Sequence, residues 1–143
     1  MWREVLRADP TRVKIMIELT WQLALLESPT SEQLDEALAL AQRAVEAAPT
    51  DPTTYGALGI AQHARGDTRA ALSAFRRALP RTRVGRAEAA RDHLGYAASA
   101  LEAGQRERAA FHLRRTRGSI QGRIGQDPAL LRLWRQVREA LNG

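Results

Sequence analysis

Apolar residues recur along this chain at intervals of three and four, the spacing of one helical face, and alternation of the β-strand type is almost absent. Alanine, leucine, glutamate and arginine dominate the chain, and all four are strong helix formers. These patterns predict an all-α protein. The predicted helices cover residues 10–27, 33–48, 52–65, 68–79, 86–103, 106–117 and 127–141.

The starts of three predicted helices carry the same two-residue signal. The dipeptide Asp-Pro occurs at 9–10, 51–52 and 127–128, each time just before an apolar-periodic segment. Aspartate is a preferred N-cap residue, and proline suits the first helical position because its missing N–H is not needed there. Short polar segments separate the helices, so we expect neighbouring helices to pack as antiparallel hairpins.

The two ends of the chain differ from its middle. Trp2, Val5 and Leu6 lie on one side of the first eight residues, which resemble the end of another helix. The glycine-rich stretch 118–125 predicts a flexible connection to the last helix. In that helix one apolar stripe is expected to face the core. The stripe consists of Leu130, Trp134, Val137 and Leu141.

An internal repeat relates the helices to one another. Small and apolar residues recur after 34 positions: Ala37, Ala41, Ala44 and Val45 correspond to Ala71, Phe75, Ala78 and Leu79. A second set recurs after 38 positions: Gly66, Ala71 and Phe75 correspond to Gly104, Ala109 and Leu113. The four additional residues fit in the connection at 80–85. The chain is therefore expected to be an array of helix pairs.

These residues resemble the tetratricopeptide repeat family, whose unit is a helix–turn–helix of about 34 residues. The clearest unit, 52–85, has Tyr55 at the first aromatic position and Leu58-Gly59 at the expected distance after it. The preceding unit has Trp21 at the aromatic position, although the loop 28–33 replaces the usual tight turn. The following unit has Tyr96-Ala97 in place of Leu-Gly.

The resemblance implies a right-handed superhelix of about three helix pairs with a C-terminal capping helix. The pairs would cover about 10–51, 52–85 and 86–123, the cap 124–143, and residues 1–9 the tail of a preceding helix or an N-terminal arm. It also implies a set of residues that pack the repeats together. These are Trp21, Ala37, Ala44, Tyr55, Leu58, Gly59, Gly66, Ala71, Phe75, Ala78, Tyr96, Ala97, Gly104, Ala109 and Leu113.

The family generally works as a protein–protein interaction scaffold, and the first helix of each pair lines a concave groove. The matching residues here are Leu19, Gln22, Leu26, Thr53, Gly56, Ile60, His63, Arg91, Leu94, Ala98 and Leu101. This lining is mostly apolar or small, which suits a hydrophobic helix or an extended peptide of another protein. Contact through the convex surface or an end of the array is the alternative.

Some family members hold the terminal carboxylate of a chaperone tail in a clamp of lysines, asparagines and arginine. Among the matching positions of this chain only Arg91 suits that task. We therefore expect no carboxylate clamp.

Charge suggests a different kind of partner. Residues 1–50 contain 5 basic and 8 acidic side chains, whereas residues 101–143 contain 9 and 4. Of the 22 basic residues only Lys14 is a lysine, and arginine suits phosphate through its planar fork. Nucleic-acid or polyanion binding by the second half is therefore an alternative function. However, the aromatic residues lie at repeat-packing positions, so stacking platforms for bases are not visible.

Motifs that carry chemistry are scarce. The chain lacks cysteine, and His63, His93 and His112 lack metal-ligand spacing. No phosphate-binding glycine loop occurs, so we expect neither an enzyme nor a cofactor.

The longest apolar runs are too short for a membrane span and no secretory signal is visible, so we expect a cytoplasmic protein. A third alternative is a mainly structural repeat segment of a larger assembly, which self-associates through its N-terminal end or docks against other parts of a larger polypeptide.

Overall fold

The computed structural model describes residues 10–79 and 87–143, and within these ranges it contains seven α-helices, one short 3-10 turn and no strand. The helices are α1 (Pro10–Ala24), α2 (Ser31–Ala47), α3 (Pro52–Ala64), α4 (Thr68–Ala78), α5 (Ala87–Glu102), α6 (Arg106–Arg114) and α7 (Pro128–Asn142), with the 3-10 turn at Arg117–Ser119. Each predicted helix has a counterpart, which confirms the all-α class. The predictions for residues 1–9 and for the connection at 80–85 lie outside the described residues.

Side-chain caps explain why α3 and α7 begin where they do. The Asp51 carboxylate accepts a hydrogen bond from the Thr53 N–H, and the Asp127 carboxylate accepts from the amides of Ala129 and Leu130. In both helices proline occupies the first turn. The Asp-Pro dipeptides at 51–52 and 127–128 thus begin helices as predicted, because each aspartate satisfies amides that have no partner inside the helix.

The start of α2 differs from the prediction. The loop at 28–33 is shorter than expected, because Thr30 caps a helix that begins at Ser31. The Thr30 hydroxyl accepts from the Gln33 N–H at 3.1 Å, and the Gln33 side chain accepts from the Thr30 N–H at 2.9 Å. This reciprocal pair is a capping box, which gives the helix two additional residues at its start.

Consecutive helices pack as hairpins. The three hairpins are α1 with α2, α3 with α4, and α5 with α6, while α3 also packs on α1 and α2, and α5 on α3 and α4. Gly66 and Gly104 lie in the turns of the second and third hairpins with φ angles of +85° and +78°. These left-handed conformations favour glycine, because a side chain would clash with the backbone there.

Phe75 is the centre of the packing between hairpins. Its side chain is fully buried, and its ring centroid lies 6.5 Å from that of Trp21 and 6.4 Å from that of Tyr96. Helices α3 and α5 approach the ring closely because they present Gly59 and Gly95 there. A Cβ atom at Gly59 would lie 2.9 Å from three ring carbons, and one at Gly95 would overlap the ring.

Most residues to which the sequence assigns a packing role are buried. The buried ones are Trp21, Ala37, Ala44, Tyr55, Gly59, Ala71, Phe75, Ala78, Tyr96, Ala97 and Ala109, and the half-buried ones are Leu58 and Leu113. Small side chains at many of these positions allow the helix axes to approach one another.

The glycine-rich stretch after α6, for which the sequence predicts a flexible connection, forms a compact turn. Ser119 N–H donates to the Thr116 carbonyl at 2.9 Å, and Ile124 N–H donates to the Ser119 carbonyl at 3.1 Å. The Ile124 side chain is fully buried, and a Cβ atom at Gly125 would overlap the Ile120 carbonyl oxygen. The glycines therefore allow a tight fold around a buried isoleucine.

Candidate protein-binding face

The predicted groove residues lie on α1, α3 and α5, and we call this surface the α1/α3/α5 face. Three of its residues are exposed, three are half-buried and five are buried. The exposed residues are Leu19, Gln22 and Leu26, the half-buried ones Thr53, His63 and Leu101, and the buried ones Gly56, Ile60, Arg91, Leu94 and Ala98. The predicted groove is therefore not open along its whole length.

An ion-pair network with a buried arginine at its centre crosses this face. The Arg91 guanidinium donates to both carboxylate oxygens of Glu18 at 3.1 Å, and the Arg123 guanidinium donates to the same carboxylate at 3.0 Å. Arg91 also stacks on Trp21, with the guanidinium carbon 4.7 Å from the ring centroid. The network joins α5 to α1 and joins both to the compact turn before α7. Arg91 is thus paired within its own chain.

The charges of this network shift the pKa values of its members. Burial by itself would raise the pKa of Glu18, but the charges and hydrogen bonds of Arg91 and Arg123 outweigh it and hold that pKa below its ordinary value. Burial lowers the pKa of Arg91, and the Glu18 carboxylate opposes that change. Glu18 therefore stays ionised and compensates the buried arginine.

Gly56 makes room for the residue beside Arg91. A Cβ atom on Gly56 would overlap the carboxylate of Asp92, which is only 2% exposed. Helices α3 and α5 can thus approach closely at this point, which places Arg91 within reach of α1. Glycine is otherwise unfavourable inside a helix, so this close approach accounts for its presence in α3.

The C-terminal segment fills the central part of the face. Arg132 of α7 donates to the Leu25 carbonyl at the end of α1 and contacts Glu27. Ile124 and Leu130 belong to the same buried cluster as Trp21, Ile60 and Leu94. Further along α7, Val137 packs with Ala97 and Ala98 of α5. The C-terminal segment therefore covers the α5 part of the surface where the sequence predicts a partner.

A small cleft remains beside α7. It has a volume of about 380 Å³ and lies between the ends of α1, α3 and α5. His63 lines it, and its Nδ1 is 3.2 Å from the Ser99 hydroxyl. Burial lowers the pKa of His63, although the nearby Glu102 opposes the shift. The imidazole is therefore neutral near pH 7 and contributes a hydrogen-bonding rather than a charged wall.

The outer side of α1 remains open to solvent. Ile15, Leu19 and Leu26 are 52%, 41% and 40% exposed, and with Gln22 they occupy positions i, i+4, i+7 and i+11. The first three of these positions, Ile15, Leu19 and Gln22, lie on one side of α1, and Leu26 follows two residues after the helix ends at Ala24. In the part of the chain that the structure describes, the only other exposed large apolar side chain is Phe111. We call Ile15, Leu19, Gln22 and Leu26 the α1 stripe.

Comparisons with protein-family models, with curated proteins and with solved structures find no match to this chain. None of the helices in the described ranges is long and apolar enough to cross a membrane. Among the residues of known placement, no group of three or more histidine, aspartate and glutamate side chains could hold a metal ion.

The sequence analysis missed one close pair of histidines. His93 Nδ1 and His112 Nδ1 lie 2.8 Å apart, so one neutral ring donates its proton to the other. The pKa of His112 is lowered to about 4, mainly by burial and further by the charges of the neighbouring His93, Arg108 and Arg115. His93 on α5 and His112 on α6 face each other across the hairpin that these helices form. Their spacing of 19 residues in the sequence resembles no metal-ligand motif. The two arginines make this an unfavourable place for a cation.

Proposed function

We propose that this chain is a non-catalytic protein-interaction module of the tetratricopeptide-like type, and that it binds a helix of another protein along the α1 stripe. The observation that carries the proposal is the exposed apolar side of α1, at the edge of the α1/α3/α5 face. Exposed apolar side chains that lie close together on a surface are a common feature of docking sites.

The dimensions of the stripe favour a helical partner. Within α1 the stripe runs from Ile15 to Gln22, which at the α-helical rise is about 10 Å, or two turns. A partner helix with apolar residues at intervals of three and four would match this length. The packing of α7 against α5, through Val137 on Ala97 and Ala98, is an example of such a contact within the chain.

Three features support the tetratricopeptide-like architecture. The helices form consecutive hairpins, their aromatic and alanine positions repeat at the family spacing, and Gly66 and Gly104 occupy equivalent turns with positive φ. Each hairpin buries its apolar face only by packing on the next one. Such arrays present side chains on a rigid framework, which suits an adaptor better than an enzyme.

Affinity capture from a lysate of the source organism tests the proposal, with and without nuclease. The variant Ile15→Gln/Leu19→Gln removes apolar side chains that are already exposed, so it leaves the fold intact. The control Phe111→Gln changes the fourth exposed apolar residue, which lies on α6. We expect a discrete protein that survives nuclease, is retained by the control and is lost in the α1 variant.

Two results would contradict this function. Capture that vanishes with nuclease and ignores the α1 variant would favour nucleic-acid or polyanion binding by the arginines. The third alternative, self-association of the chain, is distinguished from binding of another protein by the mass that light scattering measures. A mass that doubles with concentration, and does so equally in the α1 variant, would favour self-association through another surface.

A further inference from the structure

A second, chemically different cleft lies at the C-terminal end of the array. It has a volume of about 640 Å³ and is formed by α6, the turn after it and α7. Leu113, Ile120 and Trp134 contribute apolar surface to it, so we call it the Trp134 cleft. It lies away from the α1 stripe, because none of the α1 residues lines it.

Hydrogen bonds hold the apolar part of this cleft in place. The Trp134 indole N–H donates to the Thr116 hydroxyl at 3.0 Å, and that hydroxyl donates to the Leu113 carbonyl at 2.6 Å. Thr116 is fully buried. The Arg138 guanidinium carbon lies 4.7 Å from the centroid of the indole ring. The polar atom of the indole is thus satisfied inside the protein, and its apolar edge is available to the cleft.

Arginines surround this apolar surface. Arg106, Arg114, Arg117 and Arg138 line the cleft, against Glu107 as the only acidic side chain in the lining. Arg106 donates to the Leu141 carbonyl at 2.9 Å. Arg114 and Arg117 are exposed, and neither forms an ion pair within the described ranges. The cleft therefore combines an apolar floor with a rim of net positive charge.

We propose that the Trp134 cleft binds an acidic peptide segment of a partner protein, with an apolar side chain of the peptide on the floor and carboxylates on the rim. Guanidinium groups pair with carboxylates through two parallel hydrogen bonds. An aliphatic floor of Leu113 and Ile120 suits a leucine or phenylalanine. It suits a nucleobase poorly, because Arg138 already covers one face of the indole that a base would stack on.

Binding of labelled synthetic peptides to the full chain tests this proposal. The first probe is a ten-residue peptide in which two leucines lie among four aspartates. A second probe replaces the leucines by serine, a third replaces the aspartates by asparagine, and inorganic polyphosphate serves as a polyanion without apolar groups. Fluorescence anisotropy at two salt concentrations measures each affinity.

Two matched charge-reversal variants locate the site. Arg114→Glu/Arg117→Glu changes the rim, and Lys14→Glu/Arg69→Glu makes the same change of net charge at exposed positions on α1 and α4. We expect the rim variant to bind the first probe about tenfold more weakly, and the control to bind it almost as the original chain does. The milder variant Arg114→Gln/Arg117→Gln should lie between them. Far-ultraviolet circular dichroism checks that each variant is folded.

The probes distinguish the proposal from general anion binding. Tighter binding of the leucine–aspartate peptide than of either substituted peptide supports it. Equal binding of the serine peptide or of polyphosphate would overturn it in favour of a polyanion site, as would equal loss in both charge-reversal variants. Absence of binding at millimolar peptide would overturn it as well. None of these results depends on the α1 stripe, so failure here leaves the proposed function standing.

Discussion

Arg91 on α5 and Glu18 on α1 are separated by 73 residues in the sequence, yet a guanidinium nitrogen of Arg91 lies 3.1 Å from both oxygens of the Glu18 carboxylate. Arg91 is 2% exposed, whereas the Glu18 side chain is 36% exposed. Arg123 completes the carboxylate's set of partners from the other side. This one carboxylate thus links the first helix, the fifth helix and the C-terminal segment.

Replacement of Glu18 by glutamine should destabilise the fold. The change leaves Arg91 buried without its main counter-charge and next to Arg123, which carries the same sign. Because Glu18 is partly exposed, we expect a loss of about 2 kcal/mol at pH 7, less than for a completely buried pair. Urea unfolding of the original chain and of Glu18→Gln measures the difference. The matched control Glu27→Gln alters an ion pair whose acid is 80% exposed, and should change stability by less than about 0.5 kcal/mol.

The effect of Glu18 should also depend on pH with a definite sign. Because its pKa in the folded chain lies below the ordinary value of 4.5, the folded state binds this proton more weakly than the unfolded state does. The stabilisation is fully present above pH 4.5 and is lost as the pH falls through the lower pKa of the folded state. The stability difference between the original chain and Glu18→Gln should shrink accordingly in acid. A difference that is constant from pH 7 to pH 3 would contradict the network.

His112 should make stability depend on pH in a higher range. Its pKa falls from 6.5 to about 4 on folding, so between these values the unfolded state binds more protons and stability decreases as the pH falls. Since the ring is only partly buried, we expect its share of the loss between pH 7 and pH 5 to be about 1 kcal/mol. Urea unfolding of His112→Gln should show a correspondingly smaller loss over this range. Identical losses in both proteins would show that His112 is not the group responsible.

Gly56→Ala should destabilise the protein although alanine is the better helix former. The added methyl group would overlap the buried Asp92 carboxylate, which would have to move out of its packed position. We expect a cost of about 1–3 kcal/mol, measured by thermal or urea unfolding. Gly118→Ala is the control, because nothing lies within 4 Å of the added Cβ atom there. Equal stability of both variants would argue against the close approach of the two helices.

The helices could be predicted from sequence because the forces that determine them are local. The spacing of apolar residues and the caps at Asp51 and Asp127 depend on residues that are close in the chain. The start of α2 lies two residues before the predicted one, and Thr30 followed by Gln33 three positions later is the capping-box signal that marks it.

The state of the binding face could not be predicted in the same way. Whether Ile60 and Leu94 line an open groove or a buried core depends on where Ile124 and Leu130 pack, far along the chain. Periodicity indicates that α7 has an apolar side but not which surface receives it. The contact of Arg123 with Glu18 lies 105 residues apart, and no local pattern connects the two. The His93–His112 contact likewise arises from the register of the α5–α6 hairpin.

Site-specific photo-crosslinking in cells of the source organism tests whether a partner protein binds along the α1 stripe. A benzoylphenylalanine replaces Leu19 on the α1 stripe, and in a separate control it replaces Arg69, which is exposed on α4. We expect a discrete protein adduct from position 19 and none from position 69. The adduct at position 19 should be lost when Ile15→Gln and Leu26→Gln are added. An adduct with protein at position 69 but none at position 19, or a nuclease-sensitive adduct at position 19, would contradict binding along the α1 stripe.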